Sequence, residues 1–322
     1  MSAALAGFLT LELTRAVLTE GMYATAAGAS RRPLLHAQVV ILAVEVVRVA
    51  AACCMIISEK RKPKLHVHAL KSVGIQTGLW FVNNCIYFNV LSHASVATVS
   101  ILMQLRLPIT GILHHFLVRN QSSLGAWIAL IVIYVGVVCA QWSNSFSISD
   151  MWTIISCLVL SILSSIASIV SEKMLKGANM PFWDQQLQVC ALSVVSSSVF
   201  LVAMADGPWI NYDMLNTVSV AFTTGSVLAA AGAGLFTGLV VRHLDSVVKL
   251  IAQSVAAVST TVLVYLLFGT FKAIFGMFVV GAVLLILGTA LYALETTTNP
   301  NYARFRNVYR LSETKENIGK ME

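Results

Sequence analysis

From Ala94 to Trp142 the chain reads ASVATVSILMQLRLPITGILHHFLV, then RNQSS, then LGAWIALIVIYVGVVCAQW. The first block, Ala94–Val118, carries one Lys, Arg, Asp or Glu, which is Arg106, and the last, Leu124–Trp142, carries none. A helix needs about 20 apolar residues to cross a bilayer, and both blocks approach or exceed that length. No water is available at membrane depth, so the backbone groups of each block must bond within the block, as a helix does. The five-residue link Arg119–Ser123 is too short for anything but an antiparallel hairpin.

Working outward, eight more segments share this character: Ala4–Ala26, His36–Ile57, Ser72–Leu91, Met151–Val170, Phe182–Ala205, Val218–Val241, Ser246–Phe268 and Ala273–Leu291. The first is the most polar, interrupted by Glu12, Arg15 and Glu20. Across 322 residues 57% are apolar and 11% charged, against roughly 25% charged in soluble domains. Too few charges exist to coat a water-facing surface, which excludes a soluble globular enzyme and a disordered chain. The expected fold is an all-α polytopic membrane protein of ten transmembrane helices. Residues 1–294 form one transmembrane domain, with halves at 1–142 and 151–294, and 295–322 form a cytosolic tail. No basic n-region precedes the apolar start, so a cleavable signal peptide is not expected.

The net charge of +7 is explained by topology. With the N-terminus in the cytosol, fourteen Lys and Arg fall in the even-numbered connections and the tail, among them Lys60, Arg61, Lys62, Lys64 and Lys71, and three fall opposite, Arg31, Arg32 and Lys272. The excess of cytosolic cations places both termini in the cytosol, and no nucleic-acid partner is expected. The Asn120-Gln-Ser122 sequon then lies on the cytosolic side and stays unglycosylated.

The six cysteines lie inside apolar runs, without CxxC or zinc spacing, and read as core residues. The hairpin of segments four and five recurs as segments nine and ten, separated by five spans. An odd separation puts the copies in opposite orientations, the layout of inverted five-helix repeats in transporters. Gly234-x-x-x-Gly238 allows close helix approach.

The informative residues are the charges inside the helices, because each costs at least about 2.5 kcal/mol at the bilayer centre. Glu45 and Arg48 are three apart and pair across a turn as a structural intramembrane pair. Arg106 has no acid within reach along its own helix, and Lys249 has Asp245 four residues earlier. Cations facing a cavity suit an anionic ligand, and Arg grips phosphate with two parallel bonds. Pro108 is expected to kink the helix beside Arg106. The amides Asn83, Asn84, Gln185, Gln186 and Gln188 serve either a ligand base or ribose, or bonds between helices. His114-His115 suit an interface better than a metal. Ser164-Ser165 and Ser259-Thr260-Thr261 can bond to their own helices. Neither a nucleophile–base constellation nor a metal motif is found; no enzyme activity, cofactor or metal is expected.

Four blocks carry a family resemblance. Asn83-Asn84, then Phe88-Asn-Val-Leu-Ser-His-Ala-Ser-Val-Ala-Thr98, then Met103-Gln-Leu-Arg-Leu-Pro108 make the first, and Ile41-Leu-Ala-Val-Glu-Val-Val-Arg48 the second. The third is Glu172-Lys-Met-Leu-Lys176 with Trp183-Asp-Gln-Gln-Leu-Gln188, and the fourth is Val240-Val-Arg-His-Leu-Asp-Ser-Val-Val-Lys249. Their order and spacing, over about Gln38 to Leu291, resemble the nucleotide-sugar transporter family of the drug/metabolite transporter superfamily. The similar group carries CMP-sialic acid, UDP-galactose and UDP-N-acetylglucosamine.

The resemblance implies a Golgi antiporter that exchanges a nucleotide sugar for the nucleoside monophosphate, with the endoplasmic reticulum as the alternative membrane. It implies that Asn84 and Arg106 contact nucleotide and phosphate, and that Ser164, Ser165, Gln186, Lys249 and Thr260 line the rest of the site. Three positions depart from the family pattern: Arg106 stands where the family has Lys, Gln186 where it has Asn, and Cys190 where the sialic-acid carriers have Tyr. The last points away from CMP-sialic acid toward a UDP-sugar. Two other readings stay open, a superfamily carrier of another phosphorylated metabolite and a non-transporting Golgi scaffold. A homodimer or an association with glycosyltransferases is compatible with either.

Overall fold

The computed structural model describes residues 2–26, 37–63, 67–93, 96–118, 123–142, 151–177, 180–204, 217–268 and 274–298. They form α1 (Ser2–Ala26), α2 (Ala37–Ser58), α3 (Val67–His93), α4 (Val96–Leu102), a 3-10 turn (Met103–Leu105), α5 (Arg106–Val118), α6 (Leu124–Gln141), α7 (Met151–Gly177), α8 (Phe182–Met204), α9 (Thr217–His243), α10 (Ser246–Phe268) and α11 (Phe275–Thr298). No strand occurs among the described residues. The sequon at Asn120 lies outside them, as do Arg31, Arg32, Lys64, Arg119, Lys272 and the chain beyond 298.

Among the described residues, seven helices are long and apolar enough to cross a membrane: α2 and α6 through α11. The three remaining expected spans are not among them. Glu12 and Arg15 lower the hydropathy of α1, and they bond to each other at 2.6 Å. Lys71, Gln76, Asn83 and Asn84 lower that of α3. The fourth expected span is divided into α4, the 3-10 turn and α5. Its break precedes Pro108 rather than falling on it. Proline has no N–H to give the carbonyl four residues back, here Gln104, but is tolerated in a helix's first turn. Restarting the helix at Arg106 puts Pro108 in that first turn, and the Arg106 N–H bonds to Met103 O in the 3-10 manner.

Two compact units divide the chain. One takes Met1–Ser92 and Val170–Lys272, the other His93–Ile169 and Ala273–Glu322. Each joins two stretches that are far apart in the sequence, and α7 is shared between them at Ile169 and Val170.

In the first unit α1 packs on α9 and α10, and α2 on α8 and α9. The α1–α9 seam is reciprocal. Gly7 and Gly21 of α1 receive Phe236 and Phe222, while Gly232 and Gly225 of α9 receive Leu11 and Leu18. A Cβ on Gly232 or on Gly225 would stand 3.1 Å from the leucine it faces. Each step up α1 is matched by an equal step down α9, an antiparallel register held by small residues facing large ones. The Thr19 and Ser226 hydroxyls bond along the same seam at 2.8 Å. Phe8, Val240 and Ala252 form the core below it.

In the second unit α6 packs against α11 almost backbone to backbone. A Cβ on Gly136 would come 2.7 Å from Leu285 N and 2.9 Å from Gly281 O. At the start of α6, the Ser123 hydroxyl accepts the Ala126 N–H at 3.1 Å and donates to Glu295 Oε2 at 2.6 Å. Glu295 lies within α11, so the helix runs past the boundary expected for the tail.

Candidate functional site

The polar interior of the first unit begins with Glu45 and Arg48 on α2. Arg48 Nη1 donates to both oxygens of Glu45, at 2.8 and 3.0 Å. Three residues is the helical spacing that brings two such side chains onto one face. Both are largely buried, with side-chain exposures of 16% for Arg48 and 4% for Glu45. Mutual neutralisation is what lets charges stand at this depth. One donor is left over, because Arg48 Nε is buried with no hydrogen-bond partner.

Two other helices close around this pair. On α9, Gly234 leaves bare backbone against Arg48: a Cβ there would lie 3.0 Å from Nε and 3.2 Å from Cζ. On α8, Cys190 is fully buried and within electrostatic reach of both Glu45 and Arg48. One turn earlier on α8, Gln186 rests against Gly238, itself one turn beyond Gly234. Gln186 is 4% exposed, and its Oε1 has no partner. Gln185, its neighbour in sequence, points elsewhere and donates to the Met174 carbonyl at 2.7 Å. On α3 Asn83 Oδ1 is also buried without a partner, and Asn84 is half-buried.

One end of this unit is tied by ions. Glu172 of α7 accepts from Lys176 Nζ at 2.7 Å and, through its other oxygen, from the Ser246 N–H at 2.8 Å. A carboxylate at the first residue of α10 also suits the positive end of that helix. Asp245 caps the same helix, its Oδ1 accepting the Val248 N–H at 2.7 Å. Lys249 is half-buried one turn into α10. Arg61, just beyond α2, donates to Glu59 and, at 3.1 Å, to the fully buried Asp184 of α8. Its bond to Glu59 above all, and then that to Asp184, hold the Arg61 guanidinium above its ordinary proton affinity.

The second unit holds Arg106, half-buried at the first residue of α5. The turn behind it is fastened by hydroxyls. Ser165 of α7, 1% exposed, accepts from Thr110 Oγ1 at 2.8 Å and lies 2.7 Å from Ser161 O and 3.2 Å from Arg106 O. Gln104 within the turn donates to Gln141 of α6 at 3.2 Å, and Ser100 to the same oxygen at 3.1 Å. Ser164 is half-buried beside Ser165. In the first unit Thr260 is half-buried and bonds back to Ala256 O of its own helix at 2.8 Å.

The structure thus brings Glu45, Arg48, Gln186 and Cys190 together in one unit, and Arg106 with Ser165 in the other. Sequence reasoning did not see the parts played by Gly234 and Gly238. Their four-residue spacing was the available signal, but it names no partner. No cluster of three His, Cys, Asp or Glu side chains among the described residues is arranged to hold a metal ion.

Residues 4–293 match the model of the family described as nucleotide-sugar transporter. A UDP-galactose/UDP-N-acetylglucosamine transporter of Caenorhabditis elegans is 26% identical over 82% of this chain and 75% of its own. A UDP-N-acetylglucosamine transporter of Rattus norvegicus is 23% identical over 69% of this chain and 71% of its own. The CMP-sialic acid transporter 1 of Oryza sativa subsp. japonica is 24% identical over 66% and 69%. The fold is shared with a crystal structure that matches with a TM-score of 0.67 at 15% identity, over 91% of this chain and 98% of that one. All of these named relatives are transporters, not enzymes. A family match spanning nearly all the described helices, seven of them fit to cross a membrane, leads to one conclusion: the chain belongs to the nucleotide-sugar transporter family.

Proposed function

We propose that the protein is an antiporter of the Golgi membrane, importing UDP-galactose or UDP-N-acetylglucosamine in exchange for UMP. The observation that carries this reading is the family match over residues 4–293, joined by relatives named for those two UDP-sugars. Cys190 supports the lean toward uridine, standing where the sialic-acid carriers of the family have Tyr. Both termini face the cytosol, by the asymmetry of the basic residues.

Ten helices cross the membrane as two inverted repeats, 1–142 and 151–294, with 295–322 as the tail. Three of the ten are less apolar, and two features support their crossing. Two of them are long enough as single helices: α1 has 25 residues and α3 has 27, each rising about 1.5 Å per residue. Some of their polar groups also bond to protein, as the Thr19 hydroxyl does to Ser226 and the Gln76 amide nitrogen to Ser171. Polar residues so placed are compatible with a membrane span.

The phosphates of the nucleotide dock on Arg106, from the first half of the sequence, and Lys249, from the second. Asn84 and Gln186 read base and ribose, and Ser164 and Thr260 line the rest. Ser165 contributes by holding the backbone from which Arg106 projects. Loaded carrier changes its facing readily and empty carrier slowly, which enforces exchange.

Counterflow in proteoliposomes tests the reading. Vesicles loaded with UMP should take up labelled UDP-galactose or UDP-N-acetylglucosamine, while empty vesicles should not. Uptake of a sugar phosphate in place of any nucleotide sugar would reject it in favour of a phosphorylated-metabolite carrier. Absence of all exchange would favour a scaffold.

A further inference from the structure

Gln186 and Phe182 lie one turn apart on α8, and both rest on the same bare patch of α9, the backbone of Gly238. A methyl group at 238 would overlap the Gln186 amide nitrogen, stand 3.1 Å from its Cδ and 3.3 Å from Phe182 Cε2. Of these two neighbours only one can give way. Phe182 is held by the Arg242 guanidinium over its ring, 5.8 Å from the centroid and itself one turn further along α9. The ring also packs on the apolar cluster of Val73, Met174, Leu175, Val189 and Val241. Gln186 ends in a flexible side chain whose Oε1 bonds to nothing in the protein. Its position is therefore set by the space at 238 rather than by a hydrogen bond of its own.

We propose that Gly238 is a positioning residue for substrate recognition: by omitting a Cβ, it fixes how far the Gln186 amide reaches and where its free oxygen points. The inference rests on the reading of Gln186 as a residue that contacts the nucleotide. A buried amide oxygen without a protein partner is a costly thing to keep, and an N–H of the ligand is the group that repays it. Uracil offers one such donor at N3. The notch at 238 and the length of the side chain at 186 then form a matched pair, the longer amide requiring the smaller residue opposite. Gly234 plays the same steric part for Arg48 one turn away, but Arg48 is already anchored by Glu45. Gln186 has no such anchor among the described residues, so it is the residue that the notch controls.

The test is a set of variants, Gly238→Ala, Gln186→Asn, Gln186→Ala and the doubles that combine Gly238→Ala with each, in UMP-loaded proteoliposomes taking up labelled UDP-N-acetylglucosamine and UDP-galactose. KM, maximal rate and competition by UMP against CMP are read together. Gly238→Ala should raise KM about tenfold, the worth of one polar contact, with the maximal rate held and the preference for UMP reduced. Gln186→Asn, one methylene shorter, should bring KM back toward the wild-type value in the Gly238→Ala background. In the Gln186→Ala background, Gly238→Ala should add nothing.

Failures of the two ideas look different. An unchanged KM in Gln186→Ala removes Gln186 from the site and the reading with it. A raised KM in Gln186→Ala with none in Gly238→Ala, or an effect of Gly238→Ala that persists without the amide, overturns the positioning role alone. Should Gly238→Ala fail to reach the membrane, the double variant with Gln186→Asn decides. Recovery supports the matched pair, and continued failure shows that the glycine serves backbone packing instead.

Discussion

The Ser123 hydroxyl donates to Glu295 Oε2 across 2.6 Å, joining the first turn of α6 to the end of α11 over 172 residues of sequence. The same hydroxyl caps α6 by accepting the Ala126 N–H. The carboxylate also lies against Gly125, where a Cβ would collide with it. A negative charge at a helix N-terminus and a side-chain cap each contribute about 1 kcal/mol.

Glu295→Ala should therefore lower the stability of the detergent-purified protein by about 1–2 kcal/mol. Gly125→Ala should lose a similar amount by expelling the carboxylate. The double variant should be no worse than the poorer single one, since both remove one interaction. Thermal unfolding followed by fluorescence reads all three; additive losses would mean that the carboxylate and the glycine act separately.

A second expectation concerns Glu45 and Arg48. Breaking a buried pair from one side leaves the other charge uncompensated, at about 3–5 kcal/mol. Glu45→Gln and Arg48→Gln should each fall in that range, while the double variant should lose less than either. A water-exposed pair such as Glu59–Arg61, just beyond α2, is worth little, so Glu59→Gln serves as the control that barely changes the melting temperature.

The transport reading gives its own result. Arg106→Ala and Lys249→Ala should each reduce exchange by at least about tenfold, the value of charge-assisted bonds to phosphate, while both proteins still reach the Golgi membrane. Arg106→Lys should keep part of the activity, because it retains the charge and loses the two-pronged grip. Counterflow rates with fluorescence microscopy of tagged variants decide this. Wild-type uptake in both alanine variants would remove the phosphate site.

Pro108 offers a prediction in which stability and activity part. Pro108→Ala restores the N–H at 108 that a continuous helix would give the Gln104 carbonyl, allowing one helix from Val96 to Val118. Helix interiors gain about 1–3 kcal/mol when proline is replaced. The melting temperature should rise while exchange slows, because the turn that aims Arg106 straightens. A variant both more stable and fully active would show that the break has no part in transport.

Much of this was legible before any coordinates. Apolar length alone located nearly every helix, and α10 begins and ends where Asp245-Ser246 and Phe268 indicated. Hydropathy failed where a helix carries its polar residues inward. It ended α7 at Val170, yet Glu172 and Lys176 continue the helix because they bond to each other and to the start of α10. The kink expected from Pro108 beside Arg106 is seen as the 3-10 turn Met103–Leu105, one turn before the proline. Within the site, spacing along one helix was readable, as for Glu45 and Arg48. Relations across helices were not. Gln185 and Gln186 are chemically identical and adjacent, and only the packing separates a residue bonded to Met174 from one resting on Gly238. Ser165 and Thr110 likewise meet across 55 residues with no local signature.

The seam between α1 and α9 has a mechanical consequence. Its four glycines and the side chains seated on them work like a key in a lock: sliding either helix by one residue would drive Phe222 and Phe236 into backbone. The two helices therefore move as a single stiff rod, with no freedom of axial slip. The most polar of the predicted spans is thus a splint for α9, and the glycines that face Arg48 and Gln186 travel with it as parts of one lever.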